Sequence, residues 1–515
     1  MDIKALRQKI LDLAIRGKLV PQDPNDEPAS VLLERIRAEK QQMVKDGKLK
    51  PKDIKNNTII FVGEDNLHYE KFQDGTVKCI EDEIPFELPE GWEWCRFTSV
   101  TVNRDSERKP ISSANRTNVA KIYDYYGASG KIDKIDKFIF NEKLLLIGED
   151  GANLVTRSKP IAFFAEGQYW VNNHAHCIDS TDKLLLEYLC LYINAISLEK
   201  YVTGSAQPKM TQDNMNSILI ALPPYEEQKR LEFQVNHILK TVSTIENEKE
   251  DIVNYIISAK SKILDLAIRG KLVPQDSNDE PASVLLERIR AEKEELIKQG
   301  KIKRDKKESI IFKGEDNSYY EKVGAEIRCI DSEIPFEIPD GWMYERLGNI
   351  CSIARGGSPR PIENYLTDDE NGLNWIKIGD TEQGGKYIYS TKEKIRPEGL
   401  SKTRYVCSGD FLLTNSMSFG RPYILRTNGC IHDGWLVIGG IEIAFHQDYL
   451  YYMLSSSIMY NALSSLAVGS TVKNLKSDSV KSLLVPIPPL AEQACISRQI
   501  ENYFATMLPI ERSLS

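Results

Sequence analysis

Long apolar runs are absent from this 515-residue sequence. No stretch approaches the ~20 consecutive apolar residues of a membrane-spanning helix. The opening MDIKALRQKILDLAIRG alternates charged and apolar side chains at helical spacing and lacks a signal peptide's apolar core. The nine cysteines are odd in number and contain no CxxC pair, which argues for reduced thiols and against a zinc framework. A cytoplasmic protein with no membrane contact is therefore expected. Positive charge is also short: 67 Lys and Arg against 75 Asp and Glu give a net charge of −8, so no chain-wide basic footprint exists. Residues 91–224 and 341–490 are close to neutral, and the acidic surplus sits between them.

Signatures of catalysis are missing as well. The segment LPPYEEQ (222–228) superficially resembles the Asn-Pro-Pro-Tyr motif of amino-methyltransferases. Leu222, however, stands where an Asn or Asp must bond the target amino group, and the second occurrence reads Ile487-Pro488-Pro489. These prolines more simply end a strand and launch a helix. No glycine-rich strand-to-helix turn with a following acidic ribose ligand marks a cofactor pocket. Clustered carboxylates and lysine at metal-site spacing are not found, and no P-loop supports a translocation motor. His174 and His176 share a strand face, but without a visible third ligand a polar loop or DNA contact is the better reading.

What is present is a long internal repeat. Lys9 to Lys40 reads KILDLAIRGKLVPQDPNDEPASVLLERIRAEK, and Lys262 to Lys293 differs only in placing Ser277 where Pro24 stands. IIFVGEDN (59–66) returns as IIFKGEDN (310–317), and CIEDEIPFELPEGW (79–92) as CIDSEIPFEIPDGW (329–342). Beyond Trp92 and Trp342 the copies diverge, converging again at residues 204–228 and 469–493. Uniform drift after duplication would not preserve the frames while erasing the middles. One scaffold used twice, carrying two modules of different preference, accounts for both.

The frames read as helices. Ile3, Leu6, Ile10, Leu13 and Ala14 have amphipathic spacing, Gly17 suits the helix end, and residues 29–46 form a second helix after Pro28. After Pro223-Pro224, apolar residues recur from Leu231 to Leu266 in steps of four and three, a heptad seam interrupted at Lys249. Ending near Gly270, this helix would span ~57 Å at 1.5 Å per residue. Its expected partner is the C-terminal helix after Pro488-Pro489, supplemented by the N-terminal helix. The middles contain short β-branched or aromatic runs such as KLLLIGEDG and WLVIGGIEIAF, followed by single helical stretches at 184–196 and 449–466. The fold class is α/β (α+β): two globular domains of short strands separated by helices.

The remaining chemistry is binding. Arg104, Arg108, Lys109 and Arg116 lie in a Ser/Asn-rich segment, and Asn172, Asn173, His174 and His176 form a second polar group. The later middle offers Arg355, Ser358 and Arg360, then Asn415 and Arg421, then His432 to Trp435. Lys209 and Lys473 follow Gly204-Ser205 and Gly469-Ser470. Arg suits guanine edges, Asn suits adenine, and Lys or Ser suits phosphates. Any one of these residues is better explained as ordinary solvated loop chemistry; as a set in loops between strands they suit DNA contact.

The frame LDLAIRGKLVPQ, the entry motif IPFELPEGW, the exit motif P-x-P-P-x-x-E-Q (486–493) and the preceding GSTVKNL resemble the specificity subunits of type I restriction-modification systems. WIKIGD with GLSKTRY resembles the start of one of their target recognition domains, and YGASGKIDK with VNNHAHCI resembles another subtype. The first exit motif, ALPPYEEQ, departs slightly. The resemblance implies a conserved helical region at 1–83, a target recognition domain at 84–224, and a central conserved region at 225–332. A second recognition domain at 333–489 and a C-terminal conserved helix at 490–515 complete it. Long helices in an antiparallel coiled coil would separate the domains in a pseudo-two-fold arrangement. It implies a non-catalytic chain that reads a bipartite, asymmetric target in double-stranded DNA. Two modification subunits would dock on the frames and use S-adenosylmethionine, while motor-nuclease restriction subunits would use ATP and Mg²⁺. No cofactor is expected in this chain. A ~57 Å arm corresponds to roughly 17 base pairs at 3.4 Å each.

Overall fold

A computed structural model of the chain describes residues 2–514 except 205, 206, 303, 305–307, 383, 417, 418 and 468–473. The chain divides into two compact units, residues 1–248 and 249–515. The first opens with α1 (Ile3–Ile15), capped by Asp2, which accepts the Ala5 amide at 3.0 Å. Gly17 leaves the helix at φ +62, and a Cβ there would lie 2.5 Å from the Pro89 side chain. The glycine therefore serves both the helix end and the close approach of the entry motif. Next come α2 (Ala29–Lys45) and a small antiparallel sheet of β1 (Ile59–Val62), β2 (His68–Lys71) and β3 (Val77–Cys79).

After β4 (Glu93–Arg96), the middle contains β5 (Val102–Asn103), β6 (Tyr123–Gly127), β7 (Gly130–Ile135) and β8 (Phe140–Asn141). β9 (Leu144–Gly148), β10 (Ala162–Ala165), β11 (Gln168–Val171) and β12 (Ala175–Asp179) follow. They form two sheets, of order β10-β9-β12-β5 and β7-β6-β11-β8, with β6 and β11 parallel. Every residue of β9 is buried, because both faces are covered. Leu145 and Ile147 pack in the core shared with α3 (Lys183–Ala195), whereas Leu144 and Leu146 meet Phe140 and Tyr169 of the other sheet. The chain closes through β13 (Leu219–Leu222), antiparallel to β4, into α4 (Tyr225–Ile268).

The second unit takes in the end of α4, then α5 (Ala282–Lys298) and the small sheet β14 (Ser309–Lys313), β15 (Tyr319–Val323), β16 (Glu326–Cys329). β17 (Met343–Arg346) precedes β18 (Ser352–Arg355), β19 (Leu366–Thr367), β20 (Leu373–Ile376), β21 (Tyr387–Ile388), β22 (Glu393–Ile395) and β23 (Arg404–Val406). Then come β24 (Phe411–Thr414), β25 (Pro422–Leu425), β26 (Gly429–Ile431) and β27 (Trp435–Gly439). Two helices, α6 (Gln447–Ser455) and α7 (Ser457–Leu466), lead to β28 (Leu484–Ile487), paired with β17, and to α8 (Leu490–Leu514). The helix expected over 449–466 is thus two, because Ser456 leaves the helical conformation and its hydroxyl accepts the Met459 amide at 3.3 Å.

The middles share no visible sequence pattern, yet their topologies correspond. The sheet order β18-β27-β24-β25-β21 repeats β5-β12-β9-β10 with one added strand. The order β19-β22-β20-β26-β23 likewise repeats β7-β6-β11-β8 with β19 added, and β20 and β26 are parallel as β6 and β11 are.

The frames are tied by matching polar contacts. Arg96 donates to Glu70 at 2.6 Å and to Glu83 at 2.9 Å, and Arg346 donates to Glu321 at 2.9 Å and Glu333 at 2.6 Å. The heptad seam of α4 has two antiparallel partners. Within the first unit, Arg7 of α1 donates to Ser243 at 2.9 Å and Glu246 at 3.0 Å, while Arg230 pairs with Asp26. Within the second, Lys260 bonds Glu511 of α8 at 2.6 Å, and Gln275 donates to Glu492 at 3.0 Å. Leu231, Val235, Val242 and Ile256 of the seam are buried, but Ile245 and Ile252 stay exposed where these contacts run out.

Candidate nucleic-acid interface

In each unit one edge of the middle is built from three segments distant in sequence. In the first unit these are the loop after β5, the end of β9, and the turn 172–174 between β11 and β12. The Glu149 amide donates to the His174 carbonyl at 2.9 Å, and the Met210 amide donates to the Glu149 carbonyl at 2.8 Å. In the second unit the Asn415 amide donates to the Gly434 carbonyl at 2.9 Å, and the Leu475 amide to the Asn415 carbonyl at 2.8 Å. The turns 172–174 and 432–434 therefore occupy equivalent places, set by the same ladder geometry.

The first edge is compensated in charge. Arg108 donates to the carbonyls of Asn173 at 3.3 Å and Ala175 at 2.7 Å, and its guanidinium lies 2.6 Å from Glu149. Lys209 lies 3.1 Å from Glu149, and His174 lies 2.7 Å from Asp150. His176 is buried, with one ring nitrogen 2.6 Å from Asp105 and the other 3.0 Å from the Met210 carbonyl. Asn172 is buried too, its side-chain oxygen accepting the His174 amide at 2.8 Å. Arg104 is held by Glu107, Glu142 and Asp179. Arg116 lies over the Tyr125 ring and pairs with Asp133 at 2.7 Å. Lys109 and Asn173 are exposed, and neither side chain is bonded within the described residues.

In the second unit Asp433 is the centre. Arg355 donates to its carbonyl at 2.8 Å, and so does the side-chain Nδ2 of Asn415 at 2.8 Å. Ser358 donates to one carboxylate oxygen at 2.8 Å, and Arg360, 78% exposed, reaches the other at 3.2 Å. Burial acts to raise the Asp433 carboxyl, but the Ser358 hydroxyl bond and nearby positive charge hold it below the usual range. The His432 ring lies 6.2 Å from Trp375 and 6.3 Å from Trp435, and burial pushes its imidazole down. Trp435 is fully buried and donates to the Ile376 carbonyl at 3.2 Å, so it belongs to the core and offers no face to a base. Asn415 is fully buried as well. Arg421 is exposed and lines a cavity with Phe419 and Tyr460. Lys473 lies outside the described residues.

The structure thus brings Arg108, Asn172, Asn173, His174 and Lys209 to one edge, and Arg355, Ser358, Arg360, Asn415 and His432 to its equivalent. Arg104 and Arg116 are held in ion pairs of their own. Asp105, Glu149 and Asp150 fall outside the residues expected from sequence, which are mostly cations and amides, and Asp433 enters only within the span His432 to Trp435. The signal was present in GEDG (148–151) and HDG (432–434), acidic turns at strand ends.

Residues 89–259 and 339–514 match the family described as the type I restriction modification DNA specificity domain. The type I restriction enzyme EcoEI specificity subunit of Escherichia coli is 30% identical, over 98% of this chain and 89% of that protein. The EcoAI specificity subunit, also of Escherichia coli, is 32% identical over 69% of this chain and 63% of its own length. Among solved structures, the HsdS subunit from Thermoanaerobacter tengcongensis is 17% identical over 84% of this chain and 94% of that one, with a TM-score of 0.38. Two family-specific segments, two matching middles and a near-full-length relative lead to one assignment: this chain belongs to the type I restriction-modification specificity subunits, the DNA-sequence-recognising members of those systems.

Proposed function

We propose that each unit reads one half of a bipartite, asymmetric target in double-stranded DNA, and that the chain performs no catalysis itself. The carrying observation is that two middles of one topology present dissimilar side chains at the same edge: Asn173 and His174 in one, Asp433 and Gly434 in the other. One docking geometry with two readout chemistries is what recognition of two different half-sites requires. The near-identical frames suit two copies of one modification subunit, since identical partners need equivalent surfaces. S-adenosylmethionine would then be held by those subunits, and ATP with Mg²⁺ by motor-nuclease restriction subunits, all acting in the cytoplasm. Phosphate grip from these partners fits a chain whose middles are near neutral.

Exchange of residues 91–222 for those of a relative, followed by methylation mapping with the modification subunit, tests the reading. One half of the motif is expected to change. Change in both halves, or methyl transfer by the purified chain alone, would overturn it.

A further inference from the structure

The two reading edges converge on one device. In each, an arginine reached from the strand at the sheet's edge donates to the carbonyl of the central residue of the turn: Arg108 to Asn173 at 3.3 Å, and Arg355 to Asp433 at 2.8 Å. The surrounding sequences are unrelated, so the match is one of geometry. Backbone packing supports the same point in the second unit, where a Cβ on Gly356 would sit 2.2 Å from the His432 carbonyl oxygen. The turn is therefore wedged from below, with its central side chain at the surface: Asn173 is exposed, and the Asp433 side chain is 40% exposed.

We propose that Asn173 and Asp433 are the specificity-determining tips of the two turns, and that Arg108 and Arg355 are positioning residues that hold them. The proposal rests on the half-site reading above. Chemistry then names the bases. A carboxylate only accepts, and the exocyclic amino groups of cytosine and adenine are the donors available in the major groove. On adenine the neighbouring N7 acceptor would repel it, which leaves cytosine for Asp433. Asp433 spends its bonds to Ser358 and Arg360 on one lone pair of each oxygen, so acceptor capacity remains. Asn173 carries a donor and an acceptor on one amide, the pair that matches adenine N7 and N6.

The test uses the chain co-expressed with its modification subunit in a host free of adenine methylation, with the methylated motif mapped genome-wide. The wild-type complex must first yield a split motif; without one, the half-site reading fails rather than this inference. D433N is expected to move preference at one position of one half-site from cytosine toward adenine by roughly tenfold or more. N173D is expected to make the converse change in the other half-site, and serves as an independent arm if D433N does not assemble. R355M is expected to lower methylation severalfold with the motif unaltered, and R355K, which keeps a donor, to recover part of it at an equal melting temperature. Normal methylation of an unchanged motif by both D433N and N173D would overturn the assignment of the tips. A base preference altered by R355M would overturn the positioning role.

Discussion

Trp92 donates its indole N–H to Glu227 at 2.9 Å, joining the entry motif of the first recognition domain to the first turn of the long helix. Gln22, from the frame after α1, donates to the same carboxylate at 3.0 Å. The second unit repeats the triad with Trp342 and Gln275 on Glu492, at 2.8 and 3.0 Å. Three frame segments meet at one buried carboxylate, so a change in any one strands the others. That is an intramolecular reason for near-identity of the frames, beside the partner docking proposed above.

Removing the acceptor should be costly. E227A leaves the buried Trp92 indole N–H without its partner, at about 1–3 kcal/mol, while the exposed Gln22 amide keeps its bond to the Gly17 carbonyl. E227Q keeps an acceptor for Trp92. Burial raises the Glu227 carboxyl above its ordinary value. A carboxyl raised in the folded state contributes stability present below its unfolded value, ~4.3, and lost as pH rises through the folded value. The melting temperature of E227Q relative to wild type should therefore be higher at pH 7.5 than near pH 4.5. Thermal unfolding of the two chains at both pH values checks the sign.

Lys40 gives a second pH-dependent contrast. Its ammonium donates to the carbonyls of Thr98 at 2.7 Å and Thr101 at 2.9 Å, and among the described residues only Asn57, at 3.4 Å, offers a side-chain acceptor. Lys293, its repeat counterpart, has Glu308 at 2.9 Å. Burial lowers Lys40 to about 8. The unfolded value is ~10.4, so stability from this group is present above that value and lost as pH falls through about 8. At neutral pH the penalty is on the order of 3 kcal/mol at its upper limit. N57E, which restores the counterpart's carboxylate, should raise the melting temperature at pH 7 and have less effect at pH 10.

Trp435 should behave as a core residue and not as a reader. W435A is expected to destabilise the second unit by about 3–5 kcal/mol through the cavity it leaves. W435F is expected to retain the methylated motif while melting at lower temperature. An altered motif with unchanged melting would return Trp435 to the reading surface.

The salt dependence of DNA binding should separate free from committed cations. Lys109 is exposed without a side-chain partner among the described residues, whereas Arg116 is committed to Asp133 and the Tyr125 ring. K109A in the assembled complex should reduce the slope of log K against log salt by about 0.9 if it contacts one phosphate. R116A should leave the slope unchanged and lower the melting temperature.

What the sequence alone determined is local or repeated. The duplication, the proline and glycine punctuation of α1, α2 and α4, and the amphipathic runs follow from side-chain periodicity and backbone preference, which need no distant contact. The family resemblance rests mainly on those same frames. Tertiary structure decided the rest. It showed that two middles without a common sequence share strand orders, because a strand buried on both faces needs only a continuous apolar run, which many sequences supply, as in LLLIG of β9 and FLLT of β24. It split the seam of α4 between α1 and α8, a pairing that periodicity cannot assign. It also sorted the polar candidates. Arg108 and Asn173 are 65 positions apart, and Arg355 and Asp433 are 78 apart. Whether such a side chain is free to read a base or is committed to a carbonyl depends on chain closure over those distances, which no local pattern records.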